Sequence, residues 1–266
     1  MAPSRSIDAF PCIETSASTY TLCAFEALRA SVMRIGAAKS PKSMETSMSE
    51  AAKEFGADGP CFDAGFQAGF AALLAWRRDV RRFGAGAVPE PMLAELIDLT
   101  AFAPSVGNCQ PTRFVRVENP ERRRAIQDNY EKANHAALSC YDGERALAYA
   151  GLKLAGLREA PVHLAVFCDE ETGLGHGLGV RTMPETRRYS AVCALHTFWL
   201  AARARGLGVG WVSILDPEPI ARILDVPSNW ALIAYLCVGW PEEAHTTPEL
   251  ERAGWQNRVA PTVLRR

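Results

Sequence analysis

Three arginines lie close together in the segment Trp76-Arg77-Arg78-Asp79-Val80-Arg81. A guanidinium group is planar and permanently charged, and its fork of N–H donors suits a dianionic phosphate better than a lysine ammonium does. We therefore consider Arg77, Arg78 and Arg81 as a candidate anion site. Spacing alone slightly favours a solvated helix face, and the neighbouring motifs shift the balance towards the anion site.

Asp79 lies between these arginines, where a carboxylate is either their structural partner or a proton-transfer group beside a ligand. Ser213 follows the apolar segment Gly208-Val209-Gly210-Trp211-Val212, in which a hydroxyl requires a hydrogen-bond partner. Taken singly, a structural ion pair and a satisfied core serine are the simpler explanations. No Gly-x-Ser-x-Gly motif surrounds Ser213, so nucleophilic hydrolysis has little support.

Three glycine-containing segments could bring backbone close to a ligand. The loop from Pro104 to Pro111 combines prolines and a glycine with hydroxyl and amide groups, which can direct hydrogen bonds at a heterocycle, although alone it is only a good turn. Gly208 and Gly210 would let a flat ligand approach the strand that contains them. The series from Gly173 to Gly179 lacks the lysine-hydroxyl pair of a phosphate loop, and we interpret it as a flexible lid.

The bulk properties restrict the kind of ligand. The chain has 266 residues and a formal net charge of -1, so no global field attracts nucleic acid or an anionic membrane. Eight cysteines without a Cys-x-x-Cys pair predict reduced thiols and no metal site. Because no stretch approaches ~20 apolar residues and no signal core begins the chain, we expect a cytoplasmic protein.

The elements that position these residues begin after residue 60. Residues 1–60 are rich in Ser, Ala, Thr and Gly without a sustained period, so we expect a disordered N-terminal extension followed by one domain over 61–266. Apolar residues at every fourth position from Phe62 to Leu74 predict an amphipathic helix that delivers the arginine cluster.

Hydrophobic periodicity predicts the remaining elements. Helices are expected over about 90–103, 120–139, 143–158, 185–205 and 218–224, and strands over 114–117, 162–168, 209–214 and 231–238. The helix at 185–205 is apolar nearly all round, which is typical of a helix buried in a core or at a subunit interface. Four or five strands with at least five helices indicate an α+β domain.

The motifs occur in a recognisable order. Arg77-Arg78-Asp79-Val80-Arg81, then Ala103-Pro104-Ser105-Val106-Gly107 with Gln110-Pro111, then Gly208-Val209-Gly210-Trp211-Val212-Ser213, resemble the 5,6-dimethylbenzimidazole synthases, a branch of the nitroreductase family. The resemblance covers about residues 62–258 and includes Gly143-Glu144-Arg145, Leu152-Lys153-Leu154 and Gly254-Trp255-Gln256-Asn257-Arg258. General nitroreductases typically carry serine where this chain has Asp79, and they lack the signature that ends in Ser213.

The resemblance implies a nitroreductase-like three-layer α+β fold, with a mostly antiparallel sheet flanked by helices, and a homodimer with FMN at the subunit interface. It implies that reduced FMN is the substrate and O2 the co-substrate. The flavin would be fragmented to 5,6-dimethylbenzimidazole, the lower ligand of cobalamin, with erythrose 4-phosphate as the companion product. A separate NAD(P)H-dependent flavin reductase would supply the electrons.

The resemblance also implies roles for individual residues. Asp79 would transfer a proton near the ribityl chain, and Ser213 would hydrogen-bond the flavin. The residues that would bind the FMN phosphate are Arg77, Arg78, Arg81 and Arg258. Those that would line the cofactor pocket are Ser105, Gly107 and Leu154.

Two alternatives stay open on the sequence. An NAD(P)H-dependent nitroreductase or flavin reductase would keep FMN intact and pass electrons to an external acceptor. A non-catalytic flavin-binding protein would hold FMN with the same arginines and use Asp79 only as their counter-ion.

Overall fold

A four-stranded antiparallel sheet forms the centre of the protein in a computed structural model that describes residues 62–152 and 156–266. The extension predicted over 1–60, and Leu154, lie outside the described residues. The strands are β1 Thr112–Arg116, β2 Val162–Asp169, β3 Gly208–Val212 and β4 Trp230–Gly239, in the spatial order β1-β2-β4-β3. The central strands β2 and β4 are nearly all apolar because both of their faces are covered.

Helices surround this sheet. They are α1 Ala64–Trp76, α2 Glu90–Asp98, α3 Pro120–Leu138, α4 Gly143–Gly151, α5 Gly156–Glu159, α6 Thr186–Ala204, α7 Pro217–Leu224 and α8 Glu249–Arg252. The local sequence fixes several ends. The Asn119 side chain accepts hydrogen bonds from the first backbone N–H groups of α3, and Asp216 does the same for α7.

Two hydrophobic cores lie on opposite faces of the sheet. On one face, Leu164 of β2 belongs to a core with Leu96 of α2 and Phe198 of α6. On the other face, Phe167 belongs to a core with Ile126 of α3 and Ile220 of α7. Successive residues of a strand point to opposite faces, so β2 contributes to both cores. The predicted three-layer α+β architecture is confirmed.

Helix α6 packs along the first of these cores, as its apolar sequence predicts. Its buried residues include Leu195, Phe198 and Trp199. A few apolar side chains of α6 remain exposed, among them Tyr189 and Val192. The predicted range of 185–205 agrees closely with the observed helix.

Helix α1 is present where the sequence predicts it, but it is not packed as an amphipathic helix. Within the described part of the chain none of its residues is buried, and Phe66 and Phe70 are 52% and 46% exposed. The helix ends at Trp76, so the arginine cluster follows it in extended backbone and does not lie on it. The next segment leaves the helix because it pairs with β3.

None of the helices in the described ranges has both the length and the apolar character needed to cross a bilayer.

Candidate functional site

The arginine segment is bound to the edge of the sheet. The backbone N–H of Val80 donates to the carbonyl oxygen of Val209 at 3.1 Å, and Asp79 forms a parallel bridge with Val209. The Asp79 carboxylate Oδ1 accepts the backbone N–H of Trp211 at 2.8 Å. Because β3 is an edge strand, these bonds use N–H and C=O groups that the sheet leaves unpaired.

The glycines of β3 make this close approach possible. A Cβ on Gly210 would lie well inside 3.0 Å of the Val80 carbonyl oxygen, and one on Gly208 would lie 2.8 Å from Val80 Cγ2. The chain's own segment therefore fills the space beside these glycines. The interpretation that they admit a flat ligand is wrong, since a ligand would have to displace Val80.

Ser213 lies just beyond the strand. β3 ends at Val212, and Ser213 is exposed, so it is not a satisfied core serine. It follows Trp211 by two residues, a separation of about 6.6 Å at the usual strand rise. Ser213 therefore lies two residues beyond the point at which Asp79, far away in the sequence, contacts the edge of β3.

The turn after Ser213 is anchored to helix α3. The Asn129 side chain donates from Nδ2 to the carbonyl oxygen of Asp216 at 3.2 Å, and its Oδ1 accepts the backbone N–H of Asp216 at 2.9 Å. A reciprocal pair of this kind restricts both the position and the orientation of the turn. Sequence reasoning misses this contact of Asn129, because the residue lies on a helix rich in polar residues.

Burial raises the pKa of the Asp79 carboxyl above its usual value. The Trp211 N–H bond and the positive charge of Arg81 oppose this shift, and the nearby carboxylate of Glu249 adds to it. A carboxyl group with a raised pKa is a better proton donor and acceptor near neutral pH. The electrostatic setting of Asp79 therefore suits proton transfer.

A small, shallow cleft, open to solvent, lies beside Asp79. It is bounded by the arginine segment, by the end of α6 and by the C-terminal segment that contains α8. Arg81 is central to it, with Nε 3.6 Å from Asp79 Oδ2 and 3.8 Å from Glu249 Oε2. These distances are too long for hydrogen bonds, and the buried Nε of Arg81 has no acceptor among the described residues.

The cleft carries an excess of positive charge. Five arginines line it, Arg78, Arg81, Arg82, Arg203 and Arg252, against three carboxylates, Asp79, Glu243 and Glu249. With all of these groups ionised, two positive charges remain, which matches the ≈ -2 charge of a phosphate monoester. The cleft fits a phosphate group by charge and by its unused N–H donor.

Arg258 joins this cluster from the C-terminal segment. Burial lowers the pKa of Arg78, and the positive charges of Arg258 and Arg77 lower it further, while the carboxylate of Glu251 opposes the shift. Arg78 is held in place by the Thr246 carbonyl oxygen, which accepts from Nε at 2.6 Å. Like charges are unfavourable neighbours unless an anion joins them, so this arrangement supports the predicted anion site.

Arg77 has a different environment. Its guanidinium carbon lies 4.9 Å from the ring centre of Trp199 on α6, while that of Arg203 lies 3.5 Å from the ring centre of Trp76. These two contacts fasten the end of α1 to α6. Sequence reasoning also misses Arg203, although an arginine that follows the apolar run Phe198-Trp199-Leu200-Ala201-Ala202 is a signal that could have found it.

The loop from Pro104 to Pro111 lies elsewhere in the chain. The backbone N–H of Val106 donates to Ser190 Oγ at 3.0 Å, near the start of α6. The loop leads into β1, and β1 and β3 are opposite edges of the sheet, three strand spacings or about 14 Å apart. Within one chain, Ser105 and Gly107 are therefore not brought together with Asp79.

The glycine series packs against this loop. Gly107 has a φ of +54° and Gly175 a φ of +74°, and a Cβ on Gly175 would collide with the Gly107 carbonyl oxygen. These glycines serve a close contact between two loops. This close packing gives no support to the interpretation of Gly173–Gly179 as a flexible lid.

A sequence model described as "Nitroreductase family" matches residues 74–240, which is more than half of the chain. The chain belongs to the nitroreductase family. Among its relatives is the 5,6-dimethylbenzimidazole synthase of Rhodospirillum rubrum, 59% identical over 208 residues that cover 78% of this chain and 99% of the relative. The synthase of Rhodobacter capsulatus is 47% identical over 187 residues, which cover 70% of this chain and 90% of the relative. These matches confirm the predicted resemblance and place this nitroreductase-family enzyme with the synthases.

The fold is similar to that of a solved structure. Iodotyrosine deiodinase bound to FMN and 3-iodo-L-tyrosine superimposes with a TM-score of 0.59 at 24% identity, over 74% of this chain and 97% of the other. At this identity the likeness concerns the fold alone.

Proposed function

We propose that this protein fragments reduced FMN with O2 to yield 5,6-dimethylbenzimidazole, with erythrose 4-phosphate as the companion product. The observation that carries the proposal is the position of Asp79. Its carboxylate, with a raised pKa, is fixed to the strand that leads to Ser213 and lies beside a cleft with excess positive charge. The high identity to the named synthases supports the same reaction.

The arginine cleft would hold the phosphate of FMN. Arg81 offers an unused buried donor, and Arg78 and Arg258 contribute charge. Arg77 would donate to the phosphate from the edge of its guanidinium, because one face of that group already packs on the Trp199 ring. Bound reduced FMN would supply the electrons that reduce O2 and the carbon atoms of both named products, and the pyrimidine carbons that enter neither product would leave as a separate fragment.

Asp79 and Ser213 would handle the reacting end of the flavin. Asp79 would take or give a proton near the ribityl chain, since its carboxyl is fixed by the Trp211 N–H and cannot turn away freely. The exposed Ser213 hydroxyl would hydrogen-bond the flavin ring. Asn129 would keep that hydroxyl in position through Asp216.

A homodimer would complete the site. Ser105 and Gly107 lie towards the opposite sheet edge from Asp79, so a second chain is the natural source of these groups for a flavin held in the arginine cleft. The exposed phenylalanines of α1 supply apolar surface that such an interface could bury. Leu154 would line the same pocket. A separate NAD(P)H-dependent flavin reductase would supply reduced FMN.

The test is direct. The protein is mixed with chemically reduced FMN in air, and the products are separated and identified by mass spectrometry. We expect 5,6-dimethylbenzimidazole together with a four-carbon sugar phosphate. Recovery of intact, reoxidised FMN without either fragment would reject the proposal and favour the flavin reductase alternative.

A matched pair of variants separates the enzyme from a flavin-binding protein. Asp79→Asn should bind FMN and lose fragmentation, whereas Asp98→Asn, on the exposed surface of α2, should bind and fragment FMN like the unaltered protein. Undiminished fragmentation by Asp79→Asn would show that the carboxylate is only a counter-ion of the arginines.

A further inference from the structure

We propose that Arg203, on the last turn of α6, is an additional phosphate-binding residue of the arginine cleft and makes the site select FMN over riboflavin. This inference rests on the flavin-binding part of the proposed function and not on the fragmentation reaction. It concerns a residue outside the motifs that carry the family resemblance.

Arg203 is a buried cation without a counter-ion in the described part of the chain. Arg203 is 3% exposed. None of the ion pairs among residues 62–152 and 156–266 includes it. Its Nε has no hydrogen-bond acceptor there either. Burying a guanidinium without an anion is costly, so proteins normally pair such groups. Burial accordingly lowers the pKa of Arg203.

Two neighbouring features reduce this cost without supplying an anion. The guanidinium stacks on Trp76 at 3.5 Å from the ring centre, which is a favourable cation–π contact. Its position in the last turn of α6 also places it near the negative end of the helix dipole. Neither a ring face nor a helix dipole satisfies the Nε donor of Arg203.

Arg205 shows what a paired arginine looks like at the same helix end. It lies two residues further on, and its Nη2 donates to Glu95 Oε1 at 2.6 Å. Arg205 is therefore neutralised by a carboxylate of α2, whereas Arg203 is directed into the cleft that also contains Arg78 and Arg81. The difference indicates that the partner of Arg203 is a ligand of the cleft.

A phosphate monoester fits this uncompensated charge. Arg81 is already flanked by Asp79 and Glu249, whereas Arg203 has no carboxylate within ion-pair distance among the described residues, so an added dianion would compensate its charge. Riboflavin ends in a neutral hydroxyl and would leave the buried charge uncompensated. The site should therefore discriminate between the two flavins at their terminal group.

The inference is tested by binding of oxidised flavins. FMN and riboflavin are titrated into the full-length protein, and quenching of flavin fluorescence gives each dissociation constant. Arg203→Met keeps the length and apolar stem of the side chain and removes the charge. We expect FMN to bind this variant about 10- to 100-fold more weakly, as for the loss of a charged hydrogen bond, with riboflavin unchanged.

Arg205→Met is the matched control, because it removes a neighbouring arginine that already has a carboxylate partner, and it should alter neither affinity. Equal weakening of FMN and riboflavin by Arg203→Met would overturn the inference and leave Arg203 a packing residue. If Arg203→Met does not fold, Arg203→Lys, which retains the charge without the planar fork, should still weaken FMN selectively. Equal affinity of the unaltered protein for the two flavins would contradict the proposed selectivity, whether or not reduced FMN is fragmented.

Discussion

Substitution of Gly210 by alanine should separate Asp79 from the strand that holds it. The added Cβ would lie well inside 3.0 Å of the Val80 carbonyl oxygen, a distance that real Cβ contacts essentially never show. The obstacle is backbone, so no side-chain rotation relieves it. The segment that contains Asp79 must move away from β3, or β3 must bend.

The magnitude follows from the contacts involved. Forcing an extra methyl group into a packed position costs about 1 to 3 kcal/mol. Loss of the bond between the Val80 N–H and the Val209 carbonyl oxygen adds about 1 kcal/mol. Displacement of the Asp79 carboxylate adds nothing further to the loss of stability, because the displaced carboxylate is hydrated by water. Gly210→Ala should therefore lower the free energy of unfolding by about 2 to 4 kcal/mol.

Urea denaturation measures this change, and Gly69→Ala is the matched control. Gly69 lies within α1, and no neighbouring atom lies inside 4 Å of the place that an added methyl group would take, so alanine there should stabilise the helix by about 0.5 to 1 kcal/mol. Gly210→Ala should also reduce fragmentation of FMN, since Asp79 loses its place beside Ser213. A Gly210→Ala protein as stable and as active as the unaltered one would refute the pairing of Val80 with β3.

Four further predictions concern three residues of the site. Asp79→Asn should fold, because its amide oxygen still accepts the Trp211 N–H, and should lower the fragmentation rate by about 10²- to 10⁴-fold in a product assay. The raised pKa of Asp79 means that the native state binds the carboxyl proton more tightly than the unfolded state does. The stability contributed by the protonated carboxyl is therefore present at acidic pH and is lost as pH rises through the folded-state pKa. Urea denaturation at several pH values should show this loss of stability for the unaltered protein and not for Asp79→Asn. Arg81→Ala should weaken FMN binding by about 1.5 to 3 kcal/mol in a fluorescence titration, and unchanged affinity would contradict its assignment. Asn129→Ala should release the turn at Asp216 and increase the share of reduced FMN that reoxidises intact, whereas an unchanged product ratio would deny it a positioning role.

Local sequence signals predict most of the secondary structure. The helix expected over 143–158 is instead observed as α4 Gly143–Gly151 and α5 Gly156–Glu159, the strand expected over 209–214 ends at Val212, and α8 is not predicted. The proline and glycine positions and the apolar periodicity locate α6 and β2 within a residue or two of their observed ends. The apolar character of β2 along its whole length is also typical of a sheet covered on both faces. These features depend on neighbours within one or two turns of the chain, and such information is present in a short window of sequence.

The site is only partly predictable because its decisive contacts are long-range. The sequence indicates that Asp79 and Ser213 matter together, but not that the Asp79 carboxylate binds the N–H of Trp211, which lies 132 residues further on. The same limitation explains why the glycines of β3 suggest room for a ligand when only the sequence is considered. Val80, which fills that room, is far from Gly210 in sequence and adjacent to it in space.

Arg81 and Asp79 are two residues apart on a segment whose backbone is bonded to β3, so neither can shift without the other. The main chain would then fix the distance between the phosphate-binding residue and the proton-transfer residue, roughly 6 to 7 Å from one Cα to the other. A flavin analogue with one carbon fewer in its side chain would still bind Arg81 through its phosphate, but its reacting carbon would no longer lie beside Asp79. Side-chain length, as well as ring chemistry, would decide which flavins this site can cut.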